Sequence, residues 1–188
     1  MHNALRIPRP SSGGDQRGRH VVAWEAVLAT TAALAIGAVE VHRGHGPIGA
    51  AMTAGFGAVF VLLAAHDIIY RVIPNRAVYA AGLLALALSW VWEGRGPVEA
   101  LLGGAVAFVG LAVLRWLTKG GFGGGDLKMA GVVGLVVGCS NLVLATSVMV
   151  LAGGVSALAL LVIGRLSRRS AMAYGPFIAL GGLIALVK

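Results

Sequence analysis

The stretch Leu62-Leu63-Ala64-Ala65-His66-Asp67-Ile68-Ile69-Tyr70-Arg71-Val72-Ile73-Pro74-Asn75 carries one carboxylate on the end of an apolar run. Apolar residues continue on both sides of Asp67. Pro74 forbids continuation of a regular helix, and Asn75 is suited to cap the start of the next one. Asp67 is therefore expected near a helix end, just before a fixed turn. At membrane depth such a charge costs about 2.5–3.5 kcal/mol at the bilayer centre on insertion scales. Taken alone, Asp67 reads either as a functional group or as a residue snorkelling at the interface.

The rest of the chain puts this stretch in a membrane. Of 188 residues, 58% are hydrophobic and only 12% are charged, with a mean hydropathy of +0.88. A soluble domain of this size keeps a large share of its surface in water and cannot hide so much Leu, Val and Ala. The 29 glycines fit close helix packing in lipid, and Gly134 and Gly138 stand four apart in one apolar segment. Cys139 is the one cysteine, so it has no internal disulfide partner; it reads as a buried spectator.

Residues 1–20 are polar and rich in Arg, Pro, Ser and Gly, and read as a disordered basic cytoplasmic arm. Seven apolar segments follow, near 21–39, 47–65, 76–92, 98–117, 127–140, 142–164 and 176–188. A span needs about 20 apolar residues. The fifth and seventh are short, and the turn at Cys139-Ser140-Asn141 is weakly marked. The expected fold is all-α: a polytopic transmembrane helical bundle of about seven spans over 21–188.

Charge gives the orientation. With the N-terminus in the cytoplasm, seven spans put Arg6, Arg9, Arg17, Arg19, Arg71, Arg76, Arg115, Lys119, Lys128, Arg165, Arg168 and Arg169 on the cytoplasmic side. Only Arg43, Arg95 and Lys188 fall on the other side. That separation obeys the positive-inside rule. It also explains the net charge of +8 through anionic lipid, with no nucleic-acid partner required. The run Arg165, Arg168, Arg169 reads as topology and head-group contact.

A second carboxylate, Asp126, follows Gly120-Gly121-Phe122-Gly123-Gly124-Gly125 and begins the fifth segment. The glycines leave it uncovered, and a helix N-terminus favours its charge. The loop lacks the lysine placement of a phosphate-binding P-loop. Two spans fill the 59 positions between Asp67 and Asp126, so both are expected on the cytoplasmic face. Two carboxyls at one depth can share a proton, one ionised and one neutral, which suits activation of water and protonation of a leaving amine.

These segments, Asp67 through Pro74-Asn75 and Gly123-Gly124-Gly125-Asp126-Leu127-Lys128, resemble the two signatures of type IV prepilin peptidases, intramembrane aspartic proteases with a Gly-x-Gly-Asp motif. Tyr174-Gly175-Pro176-Phe177 resembles the family's closing Gly-Pro-Phe segment, and Trp24-Glu25 its early acidic position. The resemblance covers roughly residues 21–188. It implies a catalytic pair Asp67 and Asp126 that cleaves the basic leader of prepilin or pseudopilin precursors at the cytoplasmic membrane face, without metal or organic cofactor. It implies that Gly123 and Gly125 shape the loop presenting Asp126. Lys128 falls on the family's Asp-x-Lys pattern; it favours an ionised Asp126, contacts substrate, or is one more cytoplasmic cation. Bifunctional members carry a loop of paired cysteines linked to N-methylation, which is missing here, so peptide cleavage alone is expected. His66 is read as an interfacial histidine and Glu25 as a packing residue. The rival classes are a proton- or ion-coupled transporter and a catalytically silent pilus or secretion assembly protein.

Overall fold

The computed structural model describes residues 13–44, 46–92, 96–164 and 173–188, with side chains from Trp24 onward. The described residues form six helices and no strand: α1 Gly13–His42, α2 Pro47–Tyr70, α3 Asn75–Leu88, α4 Pro97–Leu117, α5 Gly124–Val162 and α6 Gly175–Val187. α1 begins inside the stretch read as an irregular arm; no proline follows Pro10 there, so nothing stops the helix from extending backward. Residues 1–12, and Arg165, Arg168 and Arg169, lie outside the described residues.

Local chemistry sets most helix ends. Pro47 and Pro97 open α2 and α4, where a missing N–H costs nothing. Arg71 closes α2 in the left-handed conformation, and its N–H donates to the Asp67 carbonyl at 2.9 Å. Lys119 and Gly120 close α4 with positive φ. Asn75 does not cap α3: Pro74 holds the cap position with an extended backbone, and Asn75 is the first helical residue. Its side chain is engaged elsewhere, as described below.

The count of about seven spans is not confirmed by helix length. Among the described residues, four helices are long and apolar enough to cross a membrane: Trp24–His42 within α1, α2, α4 and α5. α3 and α6 are apolar but shorter. The fifth and sixth apolar segments are joined in α5, which is broken at Gly138, where φ is 72° and ψ is 174°. This backbone is open essentially to glycine alone. The chain doubles back there. Gly153 lies against the Tyr174 ring, which meets Phe122 edge-on at 4.6 Å, whereas a straight helix would carry Gly153 ~44 Å from Gly124. The reversal therefore sits one residue before the turn read at Cys139-Ser140-Asn141. Glu99, in the first turn of α4, accepts hydrogen bonds from the Ser140 backbone N–H at 3.2 Å and from its hydroxyl, which pins the second half of α5.

Gly134 does serve close packing, against the backbone at Gly103 of α4. Its neighbour four on, Gly138, serves the break instead. Cys139 follows that break and is exposed, not buried, because it stands at the apex of the reversal.

The core lies between α2, α5 and α6. Phe60, Met129 and Val137 are fully buried. α6 runs antiparallel to α2: Gly175 meets Asp67, Gly182 meets Phe60, and Leu183 lies near Gly57. Its small residues allow this depth, with Gly181, Gly182 and Ala185 all buried. Leu83, Val143, Leu151 and Val155 face outward without cover, which suits lipid and not water. At one end of the bundle stand Arg43 and Val187, joined by a hydrogen bond from the guanidinium to the carbonyl. At the other end stands the candidate site.

Candidate active site

Three chain segments converge at that end: the end of α2 with its turn, the Gly-rich loop opening α5, and the start of α6. They enclose a polar cleft of about 670 Å³. Asp67, Arg71, Asn75, Arg115, Gly123, Gly125, Asp126 and Lys128 all line it. The sequence-based pair is thus brought together, and the two carboxyls are near enough to interact electrostatically.

Each carboxylate is buried, Asp67 to 5% exposure and Asp126 to 7%. Buried charges persist only with hydrogen-bonding partners. Asp67 Oδ2 accepts the backbone N–H of Gly175 at 3.1 Å. A methyl group at Gly175 would lie 2.5 Å from that oxygen, so only glycine lets the start of α6 reach it. Asp126 Oδ2 accepts the backbone N–H of Gly123 at 2.8 Å, closing one half of a capping box at the α5 N-terminus. Both hydrogen bonds fall on Oδ2.

The loop glycines serve contact more than conformation. Gly123 has an ordinary extended backbone, with φ −69° and ψ 155°. A methyl group there would stand 3.2 Å from Asp126 Oδ2. One at Gly125 would stand 3.1 Å from the Ile73 side chain. Gly125 therefore lets the loop lie against the turn that follows Asp67.

Several contributors were not read from the sequence. The Arg115 guanidinium donates to the Phe122 carbonyl and so ties the end of α4 to the Gly-rich loop. The only signal for it was a cation in the last turn of α4. Phe122, Tyr174 and Phe177 form a run of edge-on ring contacts, at 4.6 Å and 5.8 Å, that joins the loop to α6. The Gly-Pro-Phe segment carried that signal without its geometry. His66 and Glu25 also meet: Nδ1 and Oε1 are 3.6 Å apart, across α2 and α1. The His66 ring lies tilted against Tyr70, with centroids 4.4 Å apart. Lys128 Nζ donates to Asn75 Oδ1 at 2.8 Å.

The fold and site define the class of apolar helical bundles with two buried carboxyls in one polar cleft, each oriented by a backbone N–H, an arrangement chemically suited to acid–base work at a membrane. The family follows from comparison with known proteins. The family model for the type IV leader peptidase family matches residues 54–160, and the chain belongs to that family. The prepilin leader peptidase/N-methyltransferase of Bacillus subtilis (strain 168) is 35% identical over 137 residues, 69% of this chain and 52% of the relative. The protein of the same name from Burkholderia pseudomallei (strain 1026b) is 30% identical over 167 residues, 82% of this chain and 51% of the relative. The chain thus spans about half the length of the curated relatives it matches. No solved structure matches it.

Proposed function

We propose that the chain is an intramembrane aspartic endopeptidase that removes the basic leader of prepilin or pseudopilin precursors. The observation that carries this reading is the pair of buried carboxyls, Asp67 and Asp126, lining one cleft at the end of the bundle. Membership of the leader peptidase family supports the substrate class.

The chemistry follows from the pair. One carboxyl is ionised and takes a proton from a water, whose oxygen attacks the scissile carbonyl carbon. The other is neutral and gives its proton to the carbonyl oxygen. On collapse the C–N bond breaks: the leaving amine takes a proton from the carboxyl that had gained one, and a hydroxyl of the tetrahedral intermediate returns its proton to the other, which restores the pair. Gly123 and Gly175 fix the carboxyl orientations through their N–H groups. Gly125 sets the loop against Ile73. No metal or organic cofactor enters these steps.

The positive-inside count supports a cytoplasmic N-terminus and a cleft at the cytoplasmic face of the inner membrane, where a basic leader is held back by the membrane potential. Arg71 at the edge of the cleft suits contact with lipid phosphates at that depth. The reading assigns peptide cleavage alone to these residues; the one thiol, Cys139, stands at the opposite end of the bundle. A transporter would place its acidic residues near mid-membrane. Asp67 and Asp126 instead occupy the last and first turns of their helices.

The test is a gel-shift cleavage assay with the purified protein in detergent and precursors that carry a basic leader, a glycine and then an apolar helix. Loss of the leader at one site is expected. A folded, monodisperse protein that leaves every such precursor intact would contradict the proposal.

A further inference from the structure

Two contacts join the aspartate-bearing segments on the flank of the cleft. The first is Gly125 against Ile73, six positions after Asp67; Ile73 is buried. The second is the hydrogen bond from Lys128 Nζ to Asn75 Oδ1 at 2.8 Å, across 53 positions of sequence. The same ammonium lies 5.2 Å from the centre of the Tyr79 ring, one helical turn along α3 from Asn75. Lys128 stands two residues past Asp126, in the first turns of α5, and Asn75 is the first residue of α3.

We infer that Lys128 is a positioning residue: with Asn75 it clamps α3 to the N-terminus of α5 and so holds Asp126 in register with Asp67. This rests on the catalytic pair proposed above. α3 and α5 start from different loops, and each could slide along its axis or turn about it without breaking its own hydrogen bonds. A slide of α5 would carry Asp126 past Asp67, and misplacement by about 1 Å can cost on the order of 100-fold in rate. The Gly125–Ile73 contact limits approach but does not fix an axial position. A directed bond between a cation and an amide oxygen does. The Tyr79 face takes a second side of the ammonium, which leaves the group committed to α3 and not aimed at a substrate. Asn75 is used here, which accounts for its absence from the cap of α3.

The clamp separates from a substrate contact by kinetics. In leader cleavage, Lys128→Met and Asn75→Ala are each expected to lower kcat about tenfold while KM stays within about twofold. Because both remove the same bond, the double variant should be no slower than the slower single one. Lys128→Arg should recover part of the loss. A raised KM in Lys128→Met with a silent Asn75→Ala, or losses that multiply, would overturn the clamp. A readout free of turnover covers variants that fold but do not cleave. Spin labels on Val72→Cys and Gly124→Cys, in a Cys139→Ser background, report the two segments directly. Their dipolar coupling should broaden on adding Asn75→Ala; an unchanged coupling would overturn the proposal. If Asp67→Asn and Asp126→Asn both retain cleavage, the catalytic pair falls and the spin-label result alone decides the clamp.

Discussion

Asp67 is held by a backbone N–H 108 positions away, whereas Asp126 is held by one only three positions before it. The first arrangement exists only once α2 and α6 have packed. The second forms with the first turn of α5, as a local cap that a short stretch of chain can make alone. A carboxylate of each kind lines the same cleft. The contrast teaches that one half of the site is written locally and the other is a property of the whole bundle. Damage to tertiary packing should therefore strike Asp67 first.

The strongest way to break the distant half is Gly175→Ala. The added methyl would collide with the Asp67 carboxyl and its Cβ, and α6 would have to retreat. We expect leader cleavage to fall by about 100-fold, the scale on which small misplacements of reacting groups act. Thermal unfolding should also drop, since overpacking costs typically about 1–3 kcal/mol. The hydrogen bond from the Gly123 N–H to Asp126, the local cap, should persist, with the Gly123 amide still protected from exchange.

The local half is broken by Gly123→Pro. The native φ of −69° already suits proline, so the backbone is kept, while the ring both removes the N–H and crowds Asp126 Oδ2, which must turn away. Loss of a hydrogen bond to a charged group is worth about 1.5–3 kcal/mol, so about a tenfold or greater fall in kcat is expected. Global unfolding should stay near that of the parent. An unfolding transition that falls as far as in Gly175→Ala would erase the distinction between the two halves.

The same divide explains what was legible in the sequence. The all-helical membrane class followed from composition, and the pairing of Asp67 with Asp126 followed from charge counting and from two short motifs. Both rest on local signals. The bond between Gly175 and Asp67 joins residues too far apart for any spacing rule; only the Gly-Pro-Phe segment hinted at it. The helix break was placed at the polar Cys139-Ser140-Asn141, but Gly138 carries it, because only its backbone conformation can turn the chain there. A glycine four residues from another looks the same in sequence whether it packs a helix or ends one. Asn75 looked like a cap since its side chain is of capping type, yet the reach of Lys128 from α5 claims that oxygen. Cys139 reads as a buried spectator because it has no cysteine partner, and lies exposed beside the break at Gly138.

The central claim is that both carboxyls take part in peptide cleavage. It is tested most directly by the initial rate of leader release from one precursor by purified Asp67→Asn and Asp126→Asn, each with unfolding measured in parallel. Amide replacement keeps the shape and removes the acid–base function, so each rate should fall by about 1,000-fold or more while both proteins remain folded. A folded variant of either kind that released the leader at near the parental rate would contradict the account.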